Sequence, residues 1–127
     1  MYYLGIDWGQ SKCGMAIADR ENRIASAYKQ VAEADIYQEV LNLVQREKIK
    51  KIIIGSNEKL FQRKIFKLFL TKIKEIGIPM VLENEDFSTQ VAQRNLIEAK
   101  QKNIEREDDV ESARVILQSW LDNKGKK

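Results

Sequence analysis

Residues 2–19 read "YYLGIDWGQSKCGMAIAD". Two apolar runs, "YYLGID" (2–7) and "CGMAIAD" (13–19), flank "WGQSK" (8–12), which carries turn chemistry. After "RENR" a third run, "RIASAYKQV" (23–31), repeats the pattern. Three short runs joined by turns predict an antiparallel meander, which places Asp7 at the end of the first strand and Gly9 and Gly14 on either side of the turn that follows.

Downstream the periodicity changes. Ile36, Val40, Leu43 and Val44 recur at helical spacing between Asp35 and Lys48, with Asp35 as a plausible N-cap. "KKIIIGS" (50–56) is a short β-branched run stopped at Gly55, which is how a buried parallel strand reads. Residues 58–75 predict a long amphipathic helix: Phe61, Ile65, Leu68, Phe69, Ile73 and Ile76 form one broad side and lysines surround the rest. Gly77 ends it, and the only proline, Pro79, precedes the short strand "MVLEN" (80–84). Two further helices are expected, over 88–101 and 109–121, the second burying Ala113, Ile116, Leu117 and Trp120. The order predicts an α/β domain whose mixed five-stranded sheet has three antiparallel strands, then parallel ones, with helices on both faces.

The chain has 127 residues, which fits one domain. Residues 1–123 are expected to form it, and 124–127 a flexible basic tail. Apolar residues at 43% and charged residues at 32% allow both a core and a densely charged surface, which excludes general disorder. With 22 basic against 19 acidic residues the net charge is only +3, so local patches outweigh the overall field. Histidine is absent, which removes the usual imidazole base, every Ser-His-Asp or Cys-His arrangement and the commonest zinc ligand. The lone Cys13 reads as a small core residue in a reducing compartment. No leader pattern opens the chain and no apolar run approaches the roughly 18 residues of a spanning helix, so a cytoplasmic protein without membrane association is expected.

The remaining chemistry belongs to carboxylates, lysine or water, and three carboxylates are placed to supply it. Asp7 leaves a strand beside glycines. Glu85 follows the strand after Pro79, although Glu83 shares its face by alternation and Asp86 adjoins it. Asp109 begins the last helix, where an acid is also favoured by the helix dipole alone. Ser112 and Ala113, one turn on, are small enough to let that helix approach the sheet and bring Asp109 toward Asp7. Carboxylates suit hard, oxygen-seeking cations, and two such ions about 3.5–4 Å apart activate a water and stabilise a leaving oxygen in phosphodiester hydrolysis.

Three ordered motifs resemble those of the YqgF/RuvX family of ribonuclease H-like proteins, described as pre-16S ribosomal RNA nucleases and as Holliday junction resolvase-like. The first comprises Gly5, Ile6, Asp7, Gly9, Lys12 and Gly14, continued by Ala16 and Asp19. The second comprises Asn84, Glu85, Asp86, Ser88, Thr89 and Ala92, and it favours Glu85 over Glu83. The third comprises Asp109, Ser112, Ala113, Ile116, Leu117, Gln118, Trp120 and Leu121. The resemblance covers nearly the whole chain. It implies a ribonuclease H-like fold and a nuclease in which Asp7, Glu85 and Asp109 hold Mg2+ or Mn2+, two ions by expectation. Lys12 would contact substrate phosphate, and Ser88 or Thr89 would orient Glu85 or cap the next helix.

Implied partners are structured RNA, through pre-16S rRNA processing, or branched DNA, whose two-fold cleavage calls for a homodimer. Basic residues from Lys48 to Lys74, with Arg94, Lys100 and Lys102, are candidate backbone contacts. Phe61, Phe66, Phe69 and Trp120 read as core or dimer contacts. The chain departs from the family at Lys12, which replaces an arginine; at Asn84 and Asp86, which replace an aspartate and an arginine; and in the loop after Gly55. These changes make a non-catalytic nucleic-acid-binding or scaffold protein the alternative. The first motif also resembles the phosphate loop of actin-like ATPases and sugar kinases, but those place nucleotide between two domains and this chain has room for one.

Overall fold

The computed structural model describes residues 1–56, 60, 62–84 and 108–124. Strands β1 (Tyr2–Asp7), β2 (Lys12–Asp19) and β3 (Ala25–Ala32) form the meander, and a 3-10 turn (Glu33–Asp35) leads into α1 (Ile36–Arg46). Then come β4 (Ile49–Ser56), α2 (Lys64–Glu75), β5 (Met80–Asn84) and α3 (Asp108–Lys124). The sheet order is β3-β2-β1-β4-β5, with β1 antiparallel to β2 and parallel to β4. The predicted mixed five-stranded sheet is therefore present, and β1 is its central strand.

Side chains alternate across the sheet and build two separate cores. Leu4, Ile6, Cys13, Met15, Ile52 and Ile54 pack on one face against α1 and α2. Tyr3, Ala16, Ala18, Ala25 and Ile53 pack on the other against Ala113, Ile116, Leu117, Trp120 and Leu121 of α3. Cys13 is buried, as its apolar setting predicts. Small residues dominate the α3 face because the helix lies almost on the backbone. A Cβ added at Gly5 would stand 2.7 Å from Leu117 Cβ, and one at Gly55 would stand 2.5 Å from Ile116 Cδ1.

The helix expected over 58–75 is interrupted. Leu60 is helical, but Arg63 is extended, its N–H bonds the Leu60 carbonyl at 2.9 Å, and α2 begins at Lys64. No proline or glycine marks this break, so propensity could not locate it. The buried face also differs. Phe66, Phe69 and Ile73 enter the core, while Ile65 and Leu68, expected on that side, are 52% and 61% exposed. The two aromatic rings follow Trp8, at 5.4 Å from Phe66 and 6.5 Å from Phe69 between centroids, and this contact sets the helix rotation. Asp35 does occupy the N-cap position of α1 but makes no side-chain capping bond. Gly77 ends α2 at φ +91°, a conformation that glycine adopts without strain.

At its far end α3 is tied to the β2–β3 turn. Gln118 accepts from the Ala25 N–H at 2.8 Å and donates to the Arg23 carbonyl at 3.3 Å. Arg23 Nη2 donates to the Leu121 carbonyl at 3.1 Å, satisfying one of the orphan acceptors of the helix C-terminus. The helix continues through Lys124, so the expected tail begins inside an ordered element. The predicted helix over 88–101 and residues 125–127 lie outside the described residues. Among the described residues no helix is long and apolar enough to cross a membrane.

Candidate active site

Asp7 is the last residue of β1. It pairs with Gly14 of β2, and it shares a face with Gly5 and Tyr3, the α3 face. Its side chain is partly exposed, in contrast to the buried Leu4 and Ile6 before it and Trp8 after it. Hydrophobic burial of its neighbours on the opposite face thus fixes which way this carboxylate lies.

The direction of α3 decides what meets it. Ala113 and Leu117 lie against Gly5, and Trp120 packs edge-on to Tyr3 at 5.0 Å between centroids. The helix therefore runs antiparallel to β1. Two residues beyond Gly5 is Asp7, an advance of about 6.6 Å along a strand. Four residues before Ala113 is Asp109, an advance of about 6 Å along a helix. Both steps lead toward the same end of the sheet, so the first turn of α3 comes level with the end of β1.

The third acid comes from β5. Ile6 pairs with Ile54, which places Asp7 level with Gly55, and Gly55 pairs with Glu83. Glu83 is thus on the α3 face, level with Asp7 and two strands away, about 10 Å between backbones. The side chain of Ile116 sits on Gly55 between them. Ground shared by acids of β1 and β5 therefore opens only beyond this level, past the end of β5. Glu85, Ser88 and Thr89 lie outside the described residues, as do Phe61, Arg94, Lys100 and Lys102. Among the described residues, no cluster of three acids, cysteines or histidines surrounds a common point.

Lys12 begins β2, is exposed, and lies two residues from Gly14 on the Asp7 face. Phe66, Phe69 and Trp120 are core residues. Lys51 places its Nζ over the Trp120 ring at 5.4 Å from the centroid, which occupies one of the candidate backbone-binding lysines inside the fold. On α3, Arg114 is held by Glu111 through Nε at 3.0 Å and Nη2 at 2.5 Å. That carboxylate bond raises the Arg114 pKa above its ordinary value, although burial opposes it, and the guanidinium is charged at every working pH. This pair was not among the residues the sequence singled out, because an i,i+3 Glu-Arg spacing on a helix reads as ordinary surface pairing.

The five-stranded mixed sheet, its central strand ending in a carboxylate and its last helix bringing an acidic N-terminus to the same end, define a ribonuclease H-like domain. The chain belongs to the RuvX family, described as Holliday junction resolvase, whose profile matches residues 1–123. A relative from Bacteroides fragilis named "Putative pre-16S rRNA nuclease" is 30% identical, over 95% of this chain and 96% of its own length. One of the same name from Maridesulfovibrio salexigens is 27% identical, over 95% and 98%. Among solved structures, Thermus thermophilus RuvC in complex with a Holliday junction substrate matches with a TM-score of 0.65 at 16% identity, over 98% of this chain and 96% of that one. The Fowlpox virus resolvase bound to Holliday junction DNA matches with a TM-score of 0.63 at 12% identity, over 98% and 99%. At such identities the two structures share the fold.

Proposed function

We propose that the protein is a divalent-metal-dependent nuclease that hydrolyses phosphodiester bonds, acting on precursor 16S ribosomal RNA, with Asp7, Glu85 and Asp109 as its metal-binding carboxylates. The observation that carries this reading is the antiparallel packing of α3 on β1 through Gly5, which brings Asp109 and Asp7 to one end of the sheet. The donor set fits a hard cation: carboxylate oxygens are available, the chain has no histidine, and its only cysteine is buried on the opposite face. Bound Mg2+ or Mn2+ would supply an activated water and stabilise charge on the phosphate and leaving oxygen.

The residues of the chain do the rest. Gathered carboxylates repel a phosphate when no cation is bound, so cleavage depends on metal. Lys12 offers a point charge to a phosphate beside Asp7, and it lacks the bidentate fork of arginine. Ser88 and Thr89 orient Glu85 or cap the helix expected after it. The pre-16S assignment is supported by the names of the relatives aligned over nearly their whole length. A resolvase acting on branched DNA is the second reading, favoured by the family description and by the fold of the junction-bound structures. That reading requires a homodimer.

The test compares wild type with Asp7→Asn on labelled pre-16S RNA and on a four-way DNA junction, with Mg2+, Mn2+ or EDTA. Cleavage of one substrate that needs both metal and Asp7 supports the enzyme and selects its substrate. Full metal-dependent cleavage by Asp7→Asn overturns the site. Binding of either substrate without cleavage in any metal supports a scaffold.

A further inference from the structure

The α3 face of the sheet is only partly covered by α3. Ala25, Ala18 and Ala16 are buried beneath the helix, whereas Ala27, Gln30 and Ala32 of β3 are exposed. Register places these residues on that same face: Ala27 opposite Ala16, Gln30 opposite Gly14 and Ala32 opposite Lys12. A bulge in β3, between the partners of Met15 and Ala16, keeps Gln30 on this side. Gly14 is in turn the partner of Asp7. A line of residues thus crosses from Asp7 through Gly14 to Gln30, with Lys12 at its outer edge. Its floor of glycine and alanine raises no large side chain above the sheet. It spans two strand spacings, about 10 Å.

Arg114 flanks this shelf. It stands one turn before Gln118, whose side chain bonds the Ala25 N–H, so it lies on the β3 side of α3. Glu111 engages Nε and Nη2, which fixes the plane of the guanidinium. Nη1 meets no acceptor among the described residues, and about a third of the side chain is exposed. Lys12, at the other edge, has no ion-pair partner among the described residues. An oriented guanidinium with an uncommitted nitrogen suits a phosphate oxygen better than a freely rotating one, because less side-chain entropy is lost on contact.

We propose that Arg114, oriented by Glu111, binds a backbone phosphate of the substrate and, with Lys12 and Gln30, guides one nucleic-acid strand from the acidic end of the sheet across β2 and β3. The proposal rests on the nuclease reading above. Arg114 touches substrate, and Glu111 is a positioning residue that acts through it. The competing account is a helix-surface ion pair, which would leave substrate affinity and its salt dependence unchanged.

The experiment measures binding of fluorescein-labelled single-stranded RNA and of a four-way DNA junction to the full chain across a salt series, with cleavage kinetics in Mn2+ and melting temperature alongside. Arg114→Gln is expected to weaken binding about tenfold and to reduce the slope of log affinity against log salt by about one. KM is expected to rise, with kcat within about twofold and the melting temperature nearly unchanged. Arg114→Lys should keep the salt slope and recover part of the affinity, and Glu111→Gln should weaken binding less than Arg114→Gln. If wild type binds and cleaves and Arg114→Gln equals it in affinity and slope, the strand path is wrong and the nuclease reading stands. If wild type binds neither substrate, both fall.

Discussion

Leu117 lies directly on Gly5: a methyl group at Gly5 would stand 2.7 Å from Leu117 Cβ and 3.1 Å from the Ala113 carbonyl oxygen. This contact sets the height of α3 above β1, and through it the approach of Asp109 to Asp7. Gly5→Ala should therefore force the helix outward. Overpacking costs about 1–3 kcal/mol, offset by less than about 1 kcal/mol from the stiffer unfolded chain. Chemical denaturation should show the net loss. Metal-dependent cleavage should fall by about tenfold to a hundredfold, since small displacements of catalytic groups are costly. Unchanged activity in a destabilised Gly5→Ala protein would separate the helix height from the site.

Ile116 rests on Gly55, which separates Asp7 from Glu83 at the same level of the sheet, and this bears on the choice among the acids of β5. Glu85→Gln is expected to lower cleavage by about a hundredfold or more, the scale of a directly acting group. Glu83→Gln should stay within a few-fold of wild type. The reverse order in single-turnover assays would place the ions deeper, on the Glu83 level.

Metal binding can be read without turnover. Mn2+ at about 100 times its dissociation constant should stabilise the wild type by about 2.7 kcal/mol in thermal or chemical unfolding. Asp7→Asn should lose most of that increment. A Mn2+ response equal in both proteins would remove Asp7 from the ligand set.

Trp8 is buried against Phe66 and Phe69, and its indole N–H has no hydrogen-bond partner among the described residues. Such a donor costs about 1–3 kcal/mol. Trp8→Phe removes it but leaves a smaller ring, so its stability should fall within about 1 kcal/mol of wild type. Trp8→Ala should lose about 3–5 kcal/mol through the cavity it leaves. A loss in Trp8→Phe as large as that in Trp8→Ala would mean that the indole N–H stabilises the fold instead of costing it.

Arg23 has φ +57° and donates to the Leu121 carbonyl at the end of α3. Arg23→Ala should lose about 1–3 kcal/mol, the range for hydrogen bonds of charged groups. Arg23→Gly should lose less, because glycine adopts this backbone without strain. Urea unfolding of the two variants side by side decides the order, and Gly below Ala would show that the backbone carries no strain worth relieving.

Much of the fold could be read from local pattern. "MVLEN" (80–84) is β5 residue for residue, and "KKIIIGS" differs from β4 by one residue at its start, because β-branched runs bounded by glycine or proline leave few other conformations. The start of α2 could not be read, since Leu60–Arg63 contains no residue that breaks a helix. The buried side of α2 was equally hidden: Phe66 and Ile65 are both apolar, and only the position of Trp8 favours one over the other. The position of Asp7 at the end of β1 was legible because an apolar run stops there beside glycines. Arg114 was not, because its interest comes from standing one turn before Gln118, which bonds Ala25 of β3, a strand far from it in sequence.

The order of the described strands and helices and the face on which Asp7 lies follow from side-chain period, and the absence of histidine removes imidazole chemistry. Only the folded chain shows that α3 runs antiparallel to β1 at backbone contact, that Ile116 occupies the ground between Asp7 and Glu83, and that half of β3 stays exposed on the α3 face. Those relationships depend on how closely two surfaces pack. Packing is set by the fit of Gly5 and Gly55 to Leu117 and Ile116, more than sixty residues away along the chain.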